Sequence, residues 1–248
     1  MDWEADAAAG LERVTAGGIA ADLGKYSGKK DEGVPKTGEL SGLKTPQHEV
    51  RVCGGAAGCP LSLADDRALS LALAGVLNLS GLDRKNDGTI KFHQKFRVAV
   101  SGCPNSCSQP QIVDFGVVGQ STPGRGDGSC TGCGQCAGVC SEKAIRMLDD
   151  GPVFDYSRCQ NCGQCIGSCP TEAIREVERG YRVLAGGKLG RHPRLAGVIL
   201  ELADEERVKA ILERALRLYT REGLAGERFS AMVERLGMDR VKEILVDK

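Results

Sequence analysis

Twelve cysteines divide into three sets of four with none left over, and every fold open to this chain has to gather them. Cys130, Cys133, Cys136 and Cys140 form one run with gaps of two, two and three residues. Cys159, Cys162, Cys165 and Cys169 repeat that spacing and end in Pro170. The third set is two separated pairs, Cys53 with Cys59 and Cys103 with Cys107. A cubane 4Fe–4S cluster takes four thiolates, so the count points to three such clusters in one chain.

Thiolates two residues apart wrap three corners of one cubane, and the fourth corner needs a ligand from farther along. In the bacterial two-cluster pattern, the last cysteine of each run crosses to the other cluster. That pattern groups Cys130, Cys133 and Cys136 with Cys169, and Cys159, Cys162 and Cys165 with Cys140. Structural zinc is the competing use of paired cysteines, and a duplicated four-cysteine run followed by proline weighs against it. Glycines at 132, 134, 138, 163 and 167 suit loops whose amides face sulfide. The two pairs of the third set lie about fifty residues apart, so a fold, not a local loop, has to bring them together.

The 248 residues allow one large domain or two small ones. With 33 basic and 33 acidic residues, no global field draws in nucleic acid or an anionic membrane. The most apolar region, 61–79, is interrupted by Asp65, Asp66 and Arg67, so no membrane span is expected. Met1-Asp2-Trp3-Glu4 has neither the basic region nor the apolar core of a secretory signal. A cytoplasmic location is expected, with the cysteines on metal rather than in disulfides.

Residues 1–46 read as an irregular arm, glycine-rich and locally basic through Lys25, Lys29, Lys30, Lys36 and Lys44. From 50 onward the pattern sharpens. Residues 61–79 read as an amphipathic helix ended at Ser80-Gly81. Residues 96–100 read as a strand leading into Ser101-Gly102-Cys103, and 112–118 as a second, buried strand. Residues 122–128 read as a loop and boundary. The cysteine runs mark an internal repeat: Ala144-Ile145-Arg146 after Cys140 is echoed by Ala173-Ile174-Arg175 after Cys169. An apolar segment at 195–202 precedes a long helix capped by Asp204 and stopped by Gly223. Residues 227–236 and 239–246 read as short helices.

Residues 125–178 resemble a bacterial two-cluster ferredoxin domain. The rarer set, Cys53-Gly54-Gly55-Ala56-Ala57-Gly58-Cys59 with Ser101-Gly102-Cys103-Pro104-Asn105-Ser106-Cys107, resembles the sirohaem–4Fe–4S signature of the sulfite and nitrite reductase family. Asp114-Phe115-Gly116-Val117-Val118-Gly119, Gly186-Gly187-Lys188-Leu189-Gly190-Arg191 and Gly226-Glu227-Arg228-Phe229 are similar to later family segments. The resemblance covers about 47–248 and is closest to the small anaerobic and dissimilatory-type sulfite reductases. It implies an α+β fold: a sirohaem-type domain over 47–124 and 179–248, interrupted by the ferredoxin domain at 125–178.

The resemblance further implies that Cys53, Cys59, Cys103 and Cys107 hold a cubane, with Cys107 bridging to sirohaem iron and serving as the catalytic ligand. The sirohaem carboxylates call for donors and positive charge, and Arg51, Arg97, Asn105, Lys188, Arg191 and Arg194 are the candidates. Electrons from a donor protein would pass through three cubanes to sirohaem and reduce a small oxyanion, sulfite or nitrite. The alternative is an electron-transfer protein or subunit with three cubanes and no sirohaem. His48, His93 and His192 are read as surface or pocket-edge residues. No dinucleotide or P-loop fingerprint is present. The family's N-terminal lobe, which closes over the haem, has no match in the roughly fifty residues before Cys53. A second copy or a partner subunit is therefore expected to cover the haem, near the Lys25–Lys44 arm.

Overall fold

The computed structural model describes residues 11–14, 48–80, 82 and 95–246. The Lys25–Lys44 arm and His93 lie outside the described residues. Among the described residues, one six-stranded sheet runs in the order β1-β2-β3-β4-β7-β8, with a separate two-stranded sheet of β5 (Ile145–Leu148) and β6 (Gly151–Phe154). The large sheet comprises β1 (Leu11–Val14), β2 (His48–Cys53), β3 (Phe96–Ser101), β4 (Phe115–Arg125), β7 (Ile174–Ala185) and β8 (Gly197–Ala203). β2, β3 and β4 are mutually parallel, whereas β1, β7 and β8 pair antiparallel with their neighbours. Mixed pairing with helices gathered against the sheet is the α+β architecture expected from the sequence.

The helix expected at 61–79 begins later, as α1 (Asp66–Leu79). Asp65 sets the start by accepting a hydrogen bond from the Ala68 amide, a cap that satisfies one of the otherwise orphaned first-turn donors. Leu69, Leu73 and Leu77 form its buried stripe. α4 (Glu205–Glu222) is capped by Asp204, whose carboxylate accepts from the Arg207 amide at 2.7 Å. Its buried face of Val208, Ile211, Leu212, Ala215 and Leu216 meets α1 and the sheet. α5 (Phe229–Leu236) and α6 (Met238–Val246) complete this layer. Parallel strands joined through a crossover helix need that cover.

Residues 122–125, expected as loop, extend β4 instead. Pairing from Phe115↔Ala185 to Arg125↔Ile174 continues past Pro123 through a register shift at Thr122/Pro123. Proline lacks an amide for the ladder, so a bulge is where a strand tolerates it. The result is a long two-stranded stem, β4 and β7, carrying the cysteine runs at its far end.

The 29-residue repeat is also a backbone repeat. α2 (Gln135–Val139) and α3 (Gln164–Gly167) each follow a left-handed glycine, Gly134 at φ 74° and Gly163 at φ 68°. Lys143 and Glu172, at φ 50° and 54°, match one another in the same way. Left-handed backbone disfavours a side chain by about 1–2 kcal/mol, so two such residues at equivalent places mark one imposed turn geometry. The small core here joins Cys136, Ile145, Cys165 and Ile174. In the main core, Leu212→Ala should lower unfolding free energy by about 2–5 kcal/mol, measured by chemical denaturation. The residue is fully buried, and a loss under about 1 kcal/mol would contradict the packing described.

Candidate functional site

β2 and β3 are parallel neighbours, with His48↔Phe96 through Val52↔Val100 in register. Their carboxyl ends therefore open at the same edge of the sheet, where α/β crevices form. β2 delivers Cys53 and a short 3-10 turn, Gly54–Ala57, leading to Cys59. β3 delivers Ser101 into the loop bearing Cys103 and Cys107. The Leu63 amide donates to the Gly102 carbonyl at 2.8 Å and ties the two loops together. A Cβ at 102 would stand 2.2 Å from Ser62 Oγ, so a side chain there would require Ser62 to shift.

All four cysteines of this set line one cavity of about 290 Å³, together with Gly54, Gly55, Leu61, Ser62, Ser101, Gly102 and Asn105. Cys53 is buried; its Sγ donates to Asp66 Oδ2 at 2.9 Å and accepts from the Gly102 amide at 3.3 Å. Burial, reinforced by Asp66, pushes the Cys53 thiol up to about 11. Burial also raises the Cys103 thiol. Burial thus favours the neutral thiol at both positions. Cys59 and Cys107 are exposed, and Asn105 Nδ2 donates to Cys107 Sγ at 3.1 Å. Asp66 carried no signal in the sequence beyond interrupting an apolar stretch. Its contact with Cys53 spans thirteen residues and exists only once α1 has packed beside β2.

The repeated runs line two further cavities. Cys130, Cys133, Cys136 and Cys169 surround the smaller. Cys140, Cys159, Cys162 and Cys165 line the other, of about 250 Å³, together with Leu61, Cys103 and Asn105. Burial lifts the Cys165 thiol to about 12. Backbone amides point at sulfur in both runs: Gly132 to Cys130 at 3.4 Å, Ala144 to Cys140 at 3.3 Å and Asn161 to Cys159 at 3.4 Å. Such bonds stabilise sulfur-centred negative charge and tune cluster potential. Among the described residues, no group of three His, Cys, Asp or Glu side chains is placed to hold a single metal ion. The cysteines ring cavities instead, and in the two of about 250 and 290 Å³ both donor set and size fit a cubane.

The basic candidates lie apart from these linings. Arg51 and Arg97 pair with Glu49 at 3.1 and 3.7 Å. Lys188 and Arg194 both reach Glu234, at 3.0 and 3.4 Å. Arg191 and His192 are exposed between them. None of the five cations lines the Cys53 cavity; of the sirohaem candidates, only Asn105 does.

Parallel strands opening into a four-thiol crevice define an α+β domain of iron–sulfur type. Residues 48–248 match the nitrite and sulphite reductase 4Fe-4S domain, and the chain belongs to that family. It is 42% identical over 157 residues to the coenzyme F420-dependent sulfite reductase of Methanocaldococcus jannaschii, covering 61% of this chain and 25% of that one. It is 24% identical over 237 residues to the nitrite reductase [NAD(P)H] of Bacillus subtilis, covering 93% of this chain and 21% of that one. The chain thus spans about a quarter and a fifth of these relatives' lengths. The crystal structure of dissimilatory sulfite reductase I shares the fold, with a TM-score of 0.55 at 19% identity, over 80% of this chain and 52% of that one.

The cavity linings make a testable statement about crossing. Cys133→Ala and Cys169→Ala should remove the same cluster, about four irons, and leave the same residual electron paramagnetic resonance spectrum. Cys162→Ala and Cys140→Ala should share a different one. Like spectra for Cys133→Ala and Cys140→Ala would mean that each run holds its own cluster.

Proposed function

We propose that this chain is the electron-carrying and haem-bearing module of a sulfite or nitrite reductase, holding three 4Fe–4S clusters and sirohaem. One observation carries the reading. The Cys140/Cys159/Cys162/Cys165 cavity and the Cys53/Cys59/Cys103/Cys107 cavity share a wall of Leu61, Cys103 and Asn105. Two redox sites on either side of one thiolate are suited to passing electrons between them. When bound, the clusters supply one-electron transfer and the sirohaem supplies an iron site for an oxyanion.

The chain's own residues would divide the work. Cys130 and Cys133 are exposed and mark the outer cavity, where a donor protein would dock. Cys103 forms the inner wall. Cys107, exposed and hydrogen-bonded by Asn105, would be the ligand that couples the cubane to sirohaem. Arg51, Arg97, Lys188, Arg191 and Arg194 are the cations nearest in role to the macrocycle's carboxylates. Four of them would exchange Glu49 or Glu234 for those carboxylates. With Cys59 and Cys107 open to solvent, a second copy or partner subunit would complete the haem's cover. No described helix is long and apolar enough to cross a membrane.

A second reading, a three-cubane electron-transfer subunit without sirohaem, is favoured by those same ion pairs, which already satisfy four of the cations. The visible spectrum of anaerobically purified protein decides between them. Sirohaem gives a Soret and a red band with about thirteen irons per chain, whereas three cubanes alone give a broad shoulder with about twelve. Cys107→Ala should abolish any coupled haem–cubane signal. Unchanged haem content, spectrum and turnover in that variant would remove Cys107 from the bridging position.

A further inference from the structure

Three elements that the fold keeps separate in sequence meet at Leu63. Its amide donates to the carbonyl of Gly102, the residue before Cys103. Its carbonyl accepts from Arg179 Nη1, on the β7 side of the stem. Its side chain lies beside Gly163, the residue after Cys162: a Cβ at 163 would stand 3.4 Å from Leu63 Cδ2 and 3.2 Å from Ser121 Cβ. The ring then closes through the stem. Arg179 Nε donates to Glu176 Oε1 at 3.0 Å and to Oε2 at 2.8 Å. Glu176 accepts from Ser121 Oγ, on β4. The Ser121 amide donates to the carbonyl of Asn161, the residue before Cys162, at 2.8 Å.

The circuit runs Leu63–Arg179–Glu176–Ser121–Asn161 and returns through Gly163, and none of its members is a cysteine. It joins the loop behind Cys103 to the loop carrying Cys162. The covalent connection of the insert to the sheet is only the two strands of the stem, ending at Arg125 and Ile174. A hairpin fixed at one end alone can swing. Here its swing is stopped beside the wall that the two cavities share.

We propose that Arg179 is a positioning residue for electron transfer: with Glu176, Ser121 and Leu63 it latches the Cys162 loop against the Cys103 loop. The distance between those two cluster sites is thereby fixed, without movement of the insert. The proposal rests on the functional reading above. In each transfer one electron leaves the Cys140/Cys159/Cys162/Cys165 site and one arrives at the Cys53/Cys59/Cys103/Cys107 site. The first is oxidised and the second reduced; no bond forms or breaks and no proton is required. The external donor protein resupplies the electron.

The test uses the full chain, anaerobically loaded, as wild type, Arg179→Met and Ser121→Ala. Arg179→Met keeps an apolar stem on β7 but removes both the fork and the Leu63 bond. It should keep its iron while hydrogen exchange at the Ser121 amide accelerates roughly tenfold, as expected for losing a charge-assisted bond. In the same variant, the magnetic interaction between the two reduced clusters should weaken. Ser121→Ala deletes only one hydroxyl, so it reports the same two signals even if Arg179→Met loads poorly. Iron-replete variants in which exchange of the residue 121 amide, corrected for its intrinsic rate, and the magnetic interaction are both unchanged overturn the latch alone. A wild type that lacks the Cys140/Cys159/Cys162/Cys165 cluster overturns the functional reading beneath it.

Discussion

The parallel pairing of β2 with β3 is the constraint on which the site depends. Parallel neighbours have to be joined by a crossover, and α1 (Asp66–Leu79) lies between them in the chain. The crossover places the two carboxyl ends side by side, so Cys53 and Cys103, fifty residues apart, line one cavity. An antiparallel arrangement of the same strands would have sent the two cysteine pairs to opposite edges. The crossover also seats Asp66, at the first turn of α1, against the Cys53 thiol. The helix that makes the parallel pair possible thus also sets the polarity around the Cys53 thiol.

Burial governs the chemistry of the thiols. Cys53 and Cys165, among the least exposed, carry the largest upward shifts, each led by desolvation. A buried thiolate without a counter-charge is unfavourable, so these positions favour a neutral thiol in the absence of metal. Coordination to a metal removes such a penalty by replacing the proton with a cation. Two thiol-bearing residues, Cys136 and Cys165, form the small core with Ile145 and Ile174, and Met147, Phe154 and Ile166 pack against it.

The segment that bears the two cysteine runs joins the large sheet through the strands β4 and β7, paired from Phe115↔Ala185 to Arg125↔Ile174. The bulge at Thr122/Pro123 bends that ladder just beyond Ser121, the residue whose amide reaches the Cys162 loop. Pro123 and Gly124 are turn formers and predict a loop at 122–128; cross-strand pairing outweighs that preference as far as Arg125, and 126–128 lie outside the strand.

By itself, the sequence determined whatever is encoded by spacing along the chain. The three sets of four cysteines, the repeat at a 29-residue offset, and α4 with its Asp204 cap are all local patterns. A periodic stripe or a capping side chain acts within a few residues, so each is legible without the fold. Tertiary structure decided everything that depends on which distant segments touch. It set Asp66 on Cys53, paired Lys188 and Arg194 with Glu234 instead of directing them to the crevice, and closed Leu63 between Gly102 and Arg179. The physical reason is one of range. Hydrogen bonds and ion pairs act over a few ångströms, and at these sites that proximity is created by strand order and helix packing across tens of residues.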